Sequence, residues 1–450
     1  MTKKVFIQSL GCPKNLVDSE VMTGCLMEAG YVLTADPEGA DILLVNTCGF
    51  IQPAVEEGID AILALTEIKK GAPQQKLVVT GCMVQRYGKE LKKELPEVDL
   101  FIGVDGFPNI VSELSALGDL QESVMQLPAT DFLMNSNTPR TISTPSHRAY
   151  LKVTEGCSNR CSYCLIPKIR GPLRSRTLSD LLAEATLLEK GGIKELTLIA
   201  QDLTAYGLDL GKDREGLIDL LRGLLDKTSI PWIRLLYLYP MRVKDELLDL
   251  VAENPRILPY FDIPLQHISN KILKAMNRPY TRQDAEKLIS KVRKKLPDAA
   301  IRTTFMVGFP GENNEDVTEL MSFMGEQHLQ NVGVFTYSNE EGCEASGFAN
   351  QCTEKEKEQR KAELMALQAD ISLSLNRKLV GTIQPVIVEG ISRESDLLIE
   401  GRTKYQAADI DGCVYINAGV CQAGDIADVL ITDAHHYDLV GEIVSSTETG

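Results

Sequence analysis

Short runs of aliphatic and β-branched residues, each followed by a stretch with helical spacing, recur through the first part of the chain. KVFIQSL, DILLVNT and KLVVTG read as strands, and between the first two, Val17, Val21 and Cys25 fall on one helical face that Gly30 can end. Cys25 therefore reads as core. This alternation is the pattern of a parallel sheet built from βαβ units, expected over residues 1–120. Residues 121–147 lose periodicity, carry three prolines with many Ser, Thr and Asn, and are expected to be a linker. A second alternation starts at RAYLKVT and continues through ELTLIA, WIRLLYL, YFDIPL, IRTTFMVG and NVGVFTY. Six strands alternating with helices predict a partial (β/α)6 barrel over 148–353, with ligands bound by loops at the carboxyl ends of the strands. Residues 354–380 read as a charged connecting helix with Leu364, Leu367 and Ile371 along one side. From 381 to 450, QPVIVEG, DLLIEGRT, GCVYIN and DIADVLITD, with a turn at Asp411-Gly412, predict a small antiparallel barrel. The expected class is α/β with this β-barrel appended.

At 450 residues and 44% hydrophobic, the chain can bury full cores in several domains. No stretch has the length of a membrane span, and the apolar run at the N-terminus is too short for a signal peptide, so the expected location is the cytoplasm. Thiols stay reduced there, and the eleven cysteines read as ligands and core residues rather than disulfides. A net charge of −16 points away from broad nucleic-acid binding. The barrel at 381–450 deepens that point, with three basic residues, Arg393, Arg402 and Lys404, against twelve acidic ones. Such a surface suits a basic protein partner, or serves solubility alone.

Cys157, Cys161 and Cys164 form a C-x3-C-x2-C triplet just after the first strand of the second alternation. Iron–sulfur clusters are normally held by four thiolates, so three on one loop would leave an iron open to substrate or cofactor. Structural zinc would need a fourth ligand, and His147 is ten residues upstream while Cys343 is far down the chain. Cys12, Cys48 and Cys82 come at or just after successive strand ends, at intervals of 36 and 34 residues. In a parallel sheet such positions share one edge, and Gly11, Gly49 and Gly81 beside them would let backbone pass close to a bulky ligand. They are either a second cluster site or three separate buried thiols. Cys343, Cys352, Cys413 and Cys421 show no such pattern. His267, also at a strand end, could touch substrate, although a hydrogen-bonded histidine is the commoner reading.

The triplet with Tyr163 resembles the radical S-adenosylmethionine superfamily, and the three-part layout resembles its methylthiotransferases along nearly the whole chain. GCPKNLVDSE, GCSNRCSYCLIPKIRGPLRSR, IPLQH and GFPGE are most similar to the branch that modifies an aspartate of ribosomal protein S-twelve; the alternatives are the tRNA-modifying branch and a noncatalytic iron–sulfur electron carrier, which would leave the six-strand barrel without a purpose. The resemblance implies two [4Fe-4S] clusters. Cys157, Cys161 and Cys164 would hold the one that binds S-adenosylmethionine, with Tyr163 near its adenine, and Cys12, Cys48 and Cys82 the auxiliary one. Gln201, Asp202, Gly308 and Pro310, at barrel strand ends, are further cofactor-binding candidates. The family implies radical removal of hydrogen from an aspartate β-carbon and capture of a methylthio group, with S-adenosylmethionine as both radical source and methyl donor. It also implies a C-terminal barrel of the TRAM type, an electron donor such as flavodoxin or ferredoxin, and ribosomal protein S-twelve as the basic partner. Neither a membrane nor direct binding of nucleic acid is expected.

Overall fold

The computed structural model describes residues 2–118, 122–211 and 216–444. The chain divides into two compact units. One comprises Met1–Ser143, Lys152–Leu181 and Glu340–Cys343, and the other Thr144–Leu151, Leu182–Asn339 and Glu344–Gly450.

The first unit is built on a six-stranded sheet in the order Val32–Leu33, Lys4–Ser9, Ile42–Thr47, Lys76–Gly81, Leu100–Ile102, Val124–Gln126. Every pairing is parallel, with Val5 opposite Ile42, Leu43 opposite Leu77 and Val78 opposite Leu100. Ile42–Thr47 is buried along its whole length, as a strand covered by helices on both faces must be. Leu43, Val45, Leu77, Val79 and Phe101 pack with Val55, Ile62 and Leu65 of the helix Gln52–Gly71 and with Val84 and Leu91 of the helix Cys82–Glu94. The helix Pro13–Glu28 buries Val17 and Val21 of the expected apolar face, and with them Asn15, Asp18, Ser19, Glu20 and Thr23, while Cys25 is only half-buried.

Part of the stretch expected as a linker is ordered structure of this unit. Val124–Gln126 extends the sheet as its edge strand. Further on, Arg140 Nε and Nη2 donate to Glu20 Oε2 at 2.9 and 2.7 Å, and Ser143 N donates to Glu20 Oε1 at 2.8 Å. A Cβ on Gly24 would lie 2.4 Å from Arg140 N, so only glycine lets this segment lie against the helix.

The second unit carries the expected six-strand alternation as an open sheet, in the order Asn331–Thr336, Ala300–Val307, Ile257–Asp262, Trp232–Leu235, Glu195–Ile199, Arg148–Lys152. Among the pairings, Ala300 lies opposite Tyr260 and Asn331 opposite Arg302, both in parallel register. The helix Glu354–Asn376 packs on Asn331–Thr336 and on the helix Asn314–Gln327, so it is part of this wall as well as a connector. Its buried stripe is Lys357, Arg360, Leu364, Gln368 and Ile371, while Leu367 is only half-buried.

Five strands close the C-terminal barrel, in the order Ile383–Ile391, Ile399–Thr403, Val414–Ala418, Leu439–Ile443, Ile426–Ala434. The fifth, Leu439–Ile443, is absent from the sequence expectation, and its pairing with Val414–Ala418 is parallel in an otherwise antiparallel barrel. Val386, Val388, Val414, Ile416, Val429 and Ile431 fill the interior. Glu195 of the parallel sheet meets this barrel through a buried ion cluster, accepting from Arg234 Nε and from Arg402 Nη2, each at 2.5 Å. Arg402 also pairs with Glu389, which contacts His147 Nε2 at 3.0 Å. Among the described residues no helix is long and apolar enough to cross a membrane.

Candidate active site

Cys12, Cys48 and Cys82 all stand where a strand of the first sheet gives way to a helix. Cys12 is the extended N-cap of Pro13–Glu28, Cys48 follows Ile42–Thr47, and Cys82 is the first residue of Cys82–Glu94 after Gly81 at φ 102°. The partial positive charge of helix N-termini favours thiolates at such positions. The neighbouring glycines bring these loops against one another. A Cβ on Gly11 would lie 2.8 Å from Cys48 Cβ, one on Gly49 2.6 Å from Met83 Cα, and one on Gly81 2.4 Å from Thr47 O. Their role is thus close packing of the three cysteine-bearing turns, one on the next.

The thiols also share an electrostatic environment. Burial raises the Cys12 thiol, but the charges of Lys14 and Arg170 and the backbone N–H groups of Asn15 and Lys14 outweigh it, and the net shift is downward. Burial pushes Cys48 upward and Cys82 to about 12, although Arg170 opposes the shift in both.

Cys157, Cys161 and Cys164 belong to the same unit, on the loop after Thr154–Glu155. Cys157 N donates to Gly171 O at 3.1 Å, Asn159 N to Cys157 Sγ at 3.4 Å, and Cys164 N to Cys161 O at 3.1 Å. Burial raises the Cys164 thiol, and Cys161, Cys157 and Cys343 add to the shift. Tyr163 between them is half-buried. Leu165 and Ile169, just beyond the triplet, share one apolar cluster with Cys82, Val104 and Cys343, so both cysteine sets adjoin one small core.

Against the N-terminal set lies a buried ion cluster that the sequence did not reveal. Arg170 Nε donates to Cys82 Sγ at 3.3 Å, Nη1 to Glu155 Oε1 at 3.0 Å, and Nη2 to Asp18 Oδ2 at 2.8 Å and Asn15 Oδ1 at 3.2 Å. Lys152 Nζ completes it, 2.5 Å from Asp18 Oδ1 and 2.9 Å from Glu155 Oε2. The available signal was the polar i, i+3, i+4 spacing of Asn15, Asp18 and Ser19 and the arginine in PKIRG after the triplet.

The donor set fits iron–sulfur clusters. Each site offers three thiols, and the N-terminal one adds cationic groups that offset the charge thiolates bring. Among the described residues no three His, Cys, Asp or Glu side chains close tightly enough to hold a single ion. His147, the upstream histidine weighed as a zinc ligand, is instead bound to Glu389.

The remaining candidates lie in the second unit. Gln201 is half-buried and Asp202 buried after Glu195–Ile199, where the Asp202 carboxylate accepts from Thr204 Oγ1 at 2.6 Å and pairs with Arg242. Beside them, Thr204, Tyr206, Leu217, Arg242, Lys244 and Leu247 line a cavity of about 440 Å³. Gly308 has φ 74°, and a Cβ there would lie 2.2 Å from Lys357 Cγ; its N–H donates to Glu312 Oε1 at 2.8 Å. Its open space is therefore filled by a lysine stem. Pro310 is buried nearby in sequence. His267 is fully buried, with Nδ1 accepting from Ile268 N and Ser269 N at 2.8 and 2.9 Å and Nε2 3.3 Å from Glu312 Oε2, in keeping with a hydrogen-bonded structural histidine.

Comparison with known proteins bears on all three parts. Residues 4–103 match the family described as uncharacterized protein family UPF0004, 151–324 the radical SAM superfamily and 380–444 the TRAM domain. The fold is similar to that of a radical S-adenosylmethionine methyltransferase, TsrM, from Kitasatospora setae, with TM-score 0.54 and 15% identity over 74% of this chain and 73% of that one. Ribosomal protein uS12 methylthiotransferase RimO of Desulfotalea psychrophila is 56% identical over 444 residues, covering 98% of this chain and 99% of its own length. The RimO of Pelobacter propionicus is 48% identical over 445 residues, covering 99% of each. With identity this high along nearly the full length of both chains, the chain belongs to the RimO family of radical S-adenosylmethionine methylthiotransferases.

Proposed function

We propose that this chain inserts a methylthio group at the β-carbon of an aspartate in ribosomal protein uS12. The observation that carries the reading is its 56% identity, along nearly the whole length, to a uS12 methylthiotransferase. On this reading Cys157, Cys161 and Cys164 hold a [4Fe-4S] cluster that binds S-adenosylmethionine, and Cys12, Cys48 and Cys82 hold a second. When bound, these groups supply the electron, the radical, the sulfur and the methyl group that acid–base side chains cannot provide.

The chain's own residues then bind, orient and shield. The loop from Cys157 to Cys164 is held to Gly171 by its first N–H, and the apolar cluster of Cys82, Val104, Leu165, Ile169 and Cys343 keeps water from the space beside both sets. By the family resemblance Tyr163 serves the adenine, and Gln201, Asp202 and Pro310 are the further cofactor-binding candidates, while the space at Gly308 is taken by the Lys357 stem. Electrons come from a flavodoxin or ferredoxin, and the reaction takes place in the cytoplasm.

Docking of the basic ribosomal protein falls to the acidic C-terminal barrel. Arg402, one of its three basic residues, is buried, while Glu394, Asp396, Asp425, Asp428, Asp433 and Glu442 are exposed. That surface disfavours tRNA, whose phosphates need Lys and Arg. In the test, anaerobically reconstituted protein is incubated with uS12 and, separately, with tRNA. Methylthiolated uS12 by mass spectrometry is expected; modification of tRNA alone would overturn the assignment. Binding to uS12 should weaken as salt rises.

A further inference from the structure

Arg170 is among the most deeply buried large side chains of the chain, at 1% exposure, and its side chain reaches the N-terminal cysteine set. Its guanidinium touches the Cys82 sulfur, while the carbonyl of the next residue, Gly171, accepts the Cys157 N–H. Its other partners, Asn15 and Asp18, lie on the helix that Cys12 caps. Arg170 therefore ties the N-terminal thiols to their helix, and Gly171 beside it holds the triplet loop.

The charges around it are nearly balanced without the thiols. Arg170 and Lys152 face Asp18 and Glu155, two cations against two anions. A cluster held by three thiolates beside this group brings further negative charge into a buried site, where Lys14 near Cys12 and Arg170 at the Cys82 sulfur are the cations beside it. Hydrogen bonds to cluster sulfurs and nearby positive charge both favour the reduced, more negative form of an iron–sulfur cluster and so raise its potential.

Resting on the reading that Cys12, Cys48 and Cys82 hold a cluster, we propose that Arg170 is its positioning residue: it fixes the Cys82 sulfur through an N–H···S bond and raises the cluster's reduction potential through its buried charge. Glu155, which partly cancels that charge, acts in the opposite sense.

The test uses the full-length chain with C157A, C161A and C164A, so that only the N-terminal set can hold iron. After anaerobic reconstitution its reduction potential is measured by redox titration followed by electron paramagnetic resonance. Arg170→Gln should shift the potential downward, Arg170→Lys should fall between Gln and the parent, and Glu155→Gln should shift it upward. A structural role alone would not give shifts of opposite sign. If Arg170→Gln holds no iron, the sign of the Glu155→Gln shift decides. Unmoved potentials, shifts in one direction, or loss of iron from all three variants would overturn the inference. A parent that holds no iron would instead refute the second cluster itself.

Discussion

Gly49→Ala isolates the packing of the cysteine-bearing turns. The added methyl would lie 2.6 Å from Met83 Cα, 2.7 Å from Met83 N and 2.8 Å from the Cys82 carbonyl carbon, all of them backbone atoms. Gly49 has no positive φ, so alanine fits its backbone conformation and the effect is one of volume alone. Ordinary carbon contacts lie at about 3.5–4.0 Å, so the Cys48 and Cys82 turns must part by about 1 Å. Overpacking of this kind costs about 1–3 kcal/mol, which a chain of this size survives. Metal–ligand distances, in contrast, tolerate only about 0.2 Å, so the N-terminal set should lose its iron while the fold persists. Iron and sulfide per chain should fall to the level of one cluster, with 5′-deoxyadenosine still formed and the methylthio product lost. The control is Gly325→Ala, near the end of the helix Asn314–Gln327 with nothing within 4 Å, which should stabilise by about 0.5–1 kcal/mol and leave iron unchanged. A Gly49→Ala protein with wild-type iron and undiminished methylthiolation would refute the packing argument.

Other outcomes follow from the buried charges and thiols. Glu195→Ala leaves Arg234 and Arg402 without their shared carboxylate and should cost about 3–5 kcal/mol in denaturant unfolding; a loss below about 1 kcal/mol would contradict the burial argument. Burial disfavours the charged forms of Glu195 and Glu389, but Arg402 and Arg234 at the first, and His147, Arg402 and Arg148 at the second, hold each carboxyl near a pKa of about 2. Because these folded values lie below the usual value near 4.3, the stabilisation is complete above that pH and is lost as pH falls towards 2. Acid unfolding curves should show that loss, and a smaller one in Glu195→Ala. Cys343 shares an apolar cluster with Cys82 but belongs to neither three-cysteine set, and on this account it is no cluster ligand. Cys343→Ala should keep all the iron of the parent; loss of a cluster would place Cys343 among the ligands.

Much of the fold could be read from the chain because strands buried on both faces leave continuous aliphatic runs, and each run from KVFIQSL to NVGVFTY lies at a strand. The cysteine positions were equally plain, since their spacing matched the strand–helix repeat. Val124–Gln126 was missed because three half-buried residues show no periodicity, and Leu439–Ile443 because LVGEI follows its neighbouring strand without a strong turn signal. The glycines were recognised as sites of close approach, but against a bulky ligand; the structure sets neighbouring backbone there. Least legible was the cluster of Arg170, Lys152, Asp18 and Glu155. Charged residues usually mark surface, and only tertiary contact shows these four buried together.

The central claim is a division of labour between the two cysteine sets, and the direct measurement compares reconstituted wild type, Cys157→Ala and Cys48→Ala on ribosomal protein uS12 by mass spectrometry, with 5′-deoxyadenosine quantified in the same reactions. The account predicts methylthiolated uS12 from wild type alone and 5′-deoxyadenosine from wild type and Cys48→Ala but not Cys157→Ala. Methylthiolated product from Cys48→Ala, or 5′-deoxyadenosine from Cys157→Ala, would contradict it.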